Sequence, residues 1–177
     1  MRLGFLVFLL AFWQACGSSE STSELAEIEF HRPSYPHHPD AVLTPGSLCK
    51  HATEWRYGER IPYCKRSVSS QTKRIVIHNY DVKLGHSIGR MDRGDFKIDH
   101  FIPLCMGGSN EESNLWPQHK SIFAITDQLE SDLCQMMAIG VIQQREAIAT
   151  LKRAKTQLAE TARIAWEVRS RCLAARQ

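Results

Sequence analysis

The stretch Ile98-Asp99-His100-Phe101-Ile102-Pro103-Leu104, continued through Gly107-Gly108 to Asn114-Leu115-Trp116-Pro117, decides how this chain is read. Phe96, Ile98, His100, Ile102 and Leu104 alternate with Lys97, Asp99, Phe101, Pro103 and Cys105. That alternation predicts a half-buried strand. Pro103 cannot donate a ladder hydrogen bond, so the strand is expected at an edge or at a bulged end. Gly107 to Ser113 reads as a turn-rich loop, and Asn114 to Trp116 as a short return strand. Pro117 suits the first turn of a helix, where its missing N–H costs nothing.

Downstream, Ile122, Ile125, Leu129, Leu133 and Met136 recur at helical spacing, which predicts an amphipathic helix from about Ser121 to Met137. Gly140 breaks it. A second pattern follows through Ile142, Ala147, Ile148, Leu151, Leu158, Ala165 and Val168, up to about Cys172. It is one long helix or two with a break near Thr156. Upstream, Ser67 to Tyr80 reads as a short helix with a serine start. Val68, Ile75 and Tyr80 would face inward, with Lys73 and Arg74 wet. Asp81 to Asp95, with Gly85 and Gly89, reads as loop. The fold class is α+β, its helices mainly C-terminal.

The 177 residues supply one compact domain once the N-terminus is set aside. Met1-Arg2 precedes an eleven-residue apolar run, Leu3 to Trp13, too short to span a bilayer and suited to a signal-peptide core. Gln14-Ala15-Cys16-Gly17 then resembles a bacterial lipoprotein processing site, which would make 1–16 the signal and Cys16 the anchor. Cleavage after Gly17 is the alternative. Residues 17–47, rich in Ser, Glu, Pro and His, read as a flexible tether that cannot build a helix around its prolines. His37-His38 is read as polar linker. The folded domain is expected over 48–177.

Net charge is only +3, so the chain carries no overall basic excess. Its distribution is uneven. Residues 49–97 hold eleven Lys/Arg against five Asp/Glu, while 16–48 hold one against five. A basic segment just before Asp99-His100 suits a polyanion. Lys65, Arg66, Lys73, Arg74, Arg90 and Arg93 are its candidate phosphate contacts. Six cysteines, Cys16, Cys49, Cys64, Cys105, Cys134 and Cys172, suggest disulfides in an exported chain. No Cys-x-x-Cys or Cys-x-x-His occurs to support a zinc site.

The chemistry centres on Asp99 and His100. Asp99 is a hard oxygen ligand suited to Mg²⁺ or Mn²⁺. His100 titrates near neutrality and is a natural general base. Asn114, fourteen residues on, can hydrogen-bond across the loop. Neighbouring strand residues point to opposite faces, so Asp99 and His100 share a site only if the strand distorts.

At these residues the chain resembles a family. Asp-His-x-x-Pro-Leu-x-x-Gly-Gly-Ser-Asn followed by Asn-Leu-Trp-Pro-Gln resembles the HNH endonucleases, the His-Me or ββα-metal finger. It is most similar to small exported bacterial members with the Asn-Leu-Trp-Pro motif. The resemblance covers about residues 46–150, taking in Cys49, Arg56-Tyr57, Lys65, Asp127, Glu130, Gly140, Gln144 and Ala147-Ile148. It implies a ββα finger with added helices. In that finger Asp99 binds a divalent metal, Mg²⁺ foremost, with Mn²⁺, Ni²⁺ or Zn²⁺ as alternatives. His100 activates water and Asn114 stabilises the inter-strand loop.

The implied activity is hydrolysis of DNA phosphodiester bonds with low sequence specificity. Any membrane contact would be through a lipid anchor. The alternative is a nucleic-acid-binding or structural envelope protein that kept the finger without its chemistry. One departure stands out. The family's helix ligand falls here at Phe123, which cannot bind metal, leaving His119 as the substitute. The resemblance also implies a Cys49–Cys134 bridge, against a local alternative of Cys49–Cys64.

Overall fold

The computed structural model describes residues 34–176. The expected signal segment, Cys16 and the first part of the tether lie outside them. The described chain is α+β, with four helices and two small antiparallel sheets. Strands β1 (Glu54–Arg56) and β2 (Ile61–Tyr63) pair first. Helix α1 (Ser70–Leu84) follows. Strands β3 (Phe96–His100) and β4 (Leu115–His119) form the second sheet, and α2 (Lys120–Ala138) leaves directly from β4. Helices α3 (Gln144–Thr156) and α4 (Leu158–Ala174) close the chain.

Local chemistry explains most boundaries. Ser69 caps α1, its side chain accepting from the Thr72 N–H. The helix outruns its expected end at Tyr80 and stops at Gly85, which takes the left-handed conformation at φ 72°. Asp81, expected in a loop, stays helical and accepts from the Ile88 and Gly89 N–H groups at 2.7 and 2.9 Å, fixing the next turn. Pro117 is a further correction: it sits inside β4 opposite Ile98, not in a helix. A two-stranded sheet has free edges, so a residue without an N–H is tolerated there. The break near Thr156 separates α3 from α4.

Two apolar clusters hold these elements. Leu129, Leu133 and Met136 of α2 pack with Leu151 and Ala154 of α3 and Ile164 and Val168 of α4. Val76 and Tyr80 of α1 pack with Phe96, Ile98, Leu115, Trp116 and Ile122 around the β3–β4 hairpin. Trp116 is wholly buried, as a core residue rather than a platform for bases.

Residues 34–47 correct the tether expectation, because they pack on the domain. Asp40 closes a turn by accepting from the Val42 and Leu43 N–H groups. Thr44 Oγ1 donates to the Leu115 carbonyl at 2.9 Å and lies 2.8 Å from the Tyr80 hydroxyl. Gly46 N–H donates to Ser113 O, and Tyr35 stacks on His119. The prolines bar a helix but do not bar an extended strap.

Among the described residues the disulfides are Cys49–Cys64 and Cys105–Cys134. The Cys49–Cys134 pairing implied by the resemblance is therefore corrected in favour of the local alternative. The β1–β2 hairpin turns the chain back, bringing Cys64 to Cys49 with Cα atoms 5.7 Å apart. Cys105 instead ties the turn after β3 to α2. Cys172 is buried and bridges no other cysteine among the described residues. No helix among the described residues is long and apolar enough to cross a membrane. The Cys105–Cys134 bridge closes a 29-residue separation. In the chain-entropy model such a loop is worth about 3–4 kcal/mol. The Cys105→Ala, Cys134→Ala pair should lose that much in urea unfolding. A loss below about 1 kcal/mol would mean that the bridge adds no constraint of that kind.

Candidate active site on the β3–β4 hairpin

β3 ends at His100, and Asn114 shapes the loop that leaves it. The Asn114 carbonyl accepts from the Phe101 N–H at 2.8 Å. Its side-chain Oδ1 accepts from the Ile102 N–H at 2.9 Å, and Nδ2 donates to the carbonyls of Ile102 and Ser109. Asn114 thus closes the 101–114 loop from inside with no solvent exposure. Gly108 is required beside it, because a Cβ there would overlap the Ile102 carbonyl oxygen. Segment 46–49 crosses the loop from outside: Cys49 N–H donates to Gly107 O, and Ser109 N–H to Ser47 O.

His100 is 3% exposed, and its Nε2 lies 3.2 Å from Asn110 Oδ1. Asn110 Nδ2 donates to Lys65 O at 2.8 Å, and its Oδ1 accepts from the Ser67 N–H at 3.2 Å. With Nδ2 committed as donor, Oδ1 must accept from the imidazole, so Nε2 carries the proton and Nδ1 is the basic nitrogen. Burial pulls the His100 pKa below its ordinary value, opposed by the Asn110 hydrogen bond and by Asp99. The ring is neutral at pH 7.

Asp99 pairs with Trp116 and His100 with Leu115 in unbroken register. The pleat therefore sends the two side chains to opposite faces, and the distortion needed to unite them is absent from β3. Asp99 meets lysines instead. Lys155 Nζ, from α3, donates to Asp99 Oδ2 at 3.0 Å and to His100 O at 2.7 Å, and lies 3.7 Å from Glu130 Oε2. Lys97 Nζ lies 3.6 Å from Asp99 Oδ1 and 2.6 Å from Asp127. Burial raises the Asp99 pKa, but the Lys155 and Lys97 ammonium groups outweigh it and hold the carboxyl below its usual range. Glu130 goes the other way. Burial, with Asp99 adding and Lys155 opposing, pushes it up to about 7, although 29% of its side chain remains exposed.

His119, the expected second metal ligand, is not brought to Asp99. It pairs with Phe96, three positions along the ladder from the Asp99–Trp116 pair, a distance of about 10 Å. Its Nδ1 accepts from the Ser121 N–H at the start of α2, and its ring stacks on Tyr35 at 3.8 Å. Phe123 lies under Lys97 in a cation–π contact. Among the described residues, no three His, Cys, Asp or Glu side chains converge as a metal-holding group. The Asp99 carboxylate is already spanned by ammonium groups, so the donor set as arranged does not fit a divalent cation.

Comparison of the chain with family models, curated proteins and solved structures finds no match.

The six basic candidates divide. Lys65 meets Asn110 only through its backbone carbonyl, while its ammonium lies 2.7 Å from Glu54; Arg66 reaches the Ile98 carbonyl at 3.5 Å. Arg74 and Arg93 line a separate concavity with Ile77, His78 and Met91, and Arg93 lies over the Phe96 ring. Lys73 and Arg90 have no contact with His100; Arg90 is exposed on the turn after α1. Sequence reasoning missed Asn110, Lys97 and Lys155. Lys155 left a signal: it shares the buried face of α3 with Ala147, Leu151 and Ala154, where a charge needs a reason.

Proposed function

We propose that this domain is an exported HNH-type endonuclease that hydrolyses phosphodiester bonds of nucleic acid, with DNA as the leading substrate and His100 as general base. The observation that carries this reading is the neutral, oriented imidazole with the Arg66 guanidinium near the same strand end. His100 Nδ1 takes a proton from the attacking water while Asn110 holds the ring from its other nitrogen; the water oxygen bonds to phosphorus as the P–O bond to the leaving oxygen breaks, and that oxygen takes a proton from solvent. Arg66 offsets the charge that builds on the phosphate, and Lys65 does so only by leaving its ion pair with Glu54. Asp99 and Lys155 position the strand end from its other face, since Lys155 is bonded to the His100 carbonyl. Low sequence specificity belongs to this reading because no zinc-finger or helix-turn-helix pattern is visible in the sequence. Two disulfides and the apolar Leu3–Trp13 segment suit an oxidising compartment outside the cytoplasm.

A second reading has its own support. Asp99 is engaged by lysine and His100 is almost wholly covered, as in a nucleic-acid-binding protein that kept the finger without the chemistry. Nicking of supercoiled plasmid, with single-stranded RNA as a second substrate, separates them. Cutting supports the nuclease. Binding without cutting of either substrate supports the second reading. In both, Lys65→Gln with Arg66→Gln should weaken binding and reduce the salt slope by roughly 1–2. An unchanged slope would place the phosphate track elsewhere.

A further inference from the structure

We infer that the Lys155 ammonium is the resident cation of the Asp99 site, and that the hairpin therefore takes up no divalent metal there. Lys155 Nζ is fully enclosed, with three oxygens around it: Asp99 Oδ2 at 3.0 Å, His100 O at 2.7 Å and Glu130 Oε2 at 3.7 Å. Two carboxylates and a backbone carbonyl are the hard oxygen set that a divalent cation of the Mg²⁺ or Mn²⁺ kind would use. An ammonium has three N–H donors and no acceptor; here two are hydrogen-bonded, to Asp99 Oδ2 and the His100 carbonyl, and Glu130 adds an ion-pair contact at 3.7 Å.

The two occupants exclude each other. A metal within coordination distance of Asp99 would lie almost in contact with Nζ, and two cations that close in a buried site repel strongly. Lys97 adds a second ammonium 3.6 Å from the other Asp99 oxygen, so both carboxylate oxygens face positive charge. Lys155 cannot easily withdraw. It lies on the buried face of α3, which is followed at once by α4, and Thr161 of α4 donates to the Ala154 carbonyl at 2.7 Å. Phosphodiester cleavage at His100 then proceeds without a metal held by Asp99. The competing account is an ordinary buried ion pair whose oxygens could not chelate a metal even when freed.

The test is Mn²⁺ uptake by the full oxidised chain, followed by electron paramagnetic resonance of free Mn²⁺, with melting temperatures in Mn²⁺ and in EDTA. The parent should show no uptake that Asp99→Asn removes, and the same melting temperature in both solutions. Lys155→Ala should gain a site, binding Mn²⁺ at least about tenfold more tightly than the parent, which at saturating metal appears as a higher melting temperature in Mn²⁺ than in EDTA. Adding Asp99→Asn should abolish both gains. Lys155→Met keeps the buried stem and serves if the alanine variant does not fold. Uptake by the parent that disappears in Asp99→Asn would overturn the assignment. So would a folded Lys155 variant that binds Mn²⁺ no better than the parent. Metal uptake is read without any cleavage, so this assignment and the nuclease reading on which its interest rests can fail separately.

Discussion

His100→Ala is expected to cut supercoiled plasmid roughly 10²–10⁴-fold more slowly than the parent, the usual worth of a positioned base. The reason is the protonation state built into the site. Burial lowers the His100 pKa, and the Asn110 hydrogen bond and Asp99 only partly restore it. The parent's rate should therefore be level above the ordinary value of about 6.5 and fall only as pH drops through the lowered folded pKa. The same shift has a stability sign. The unfolded chain binds the proton more readily, so the His100 contribution is complete above about 6.5 and is lost as pH falls toward the folded pKa. His100→Ala should remove that part of the acid sensitivity along with the activity. Asn110→Ala should leave the imidazole present but unheld, giving a smaller rate loss and a shifted pH profile. If His100→Ala cuts as well as the parent, the hairpin is not the active site. If the variant is slow but its residual pH profile is unchanged, the base lies on another residue.

The hairpin was legible because its signals are local. Alternation sets β3, although the strand ends at His100 rather than running on to Leu104, a glycine pair with a spaced Asn sets the loop, and helical period sets α2. The site's partners were harder to read because they come from far along the chain. Chemistry alone nominated His119, but a register of five residue pairs along the strands places it at the wrong end of the hairpin. Charge alone grouped six basic residues, and the fold separates Lys65 and Arg66, ahead of α1, from Arg74 and Arg93 at another concavity and from Lys73 and Arg90. Lys155 was legible in kind: a lysine on the apolar face of α3 implies a buried partner. That the partner is Asp99, 56 residues upstream, is set only by how α3 crosses the hairpin. The glycine pair read as a turn, while the demand on Gly108 comes from its contact with the Ile102 backbone. The strap over 34–47 departs from the tether expectation for a related reason: proline content excludes regular structure but says nothing about whether an irregular segment packs.

Asn114→Ala should cost roughly 3–6 kcal/mol of folding stability, an effect comparable to much of a domain's total. Three buried backbone groups lose their partner at once: the Ile102 N–H, the Ile102 carbonyl and the Ser109 carbonyl. Each unsatisfied group costs about 1–3 kcal/mol, and the sum is reduced where water enters the opened loop. Asn114→Asp is the more discriminating change. It keeps the volume and the Oδ1 acceptor, but replaces the Nδ2 donor with an oxygen aimed at two carbonyls. An isosteric change should therefore be no milder than alanine while the carboxylate is ionised, and should recover in part as acid protonates it into a donor. Gly108→Ala strikes the same loop from the backbone side, since its Cβ would crowd both the Ile102 carbonyl and Asn114 Nδ2. Activity should fall in all three, because the strand end carrying His100 runs straight into this staple through the Phe101 N–H bond to Asn114. Urea unfolding at neutral and acidic pH decides it. If Asn114→Asp proves as stable as the parent at neutral pH, the loop needs only the volume of Asn114, and its hydrogen bonds do not set the shape of the site.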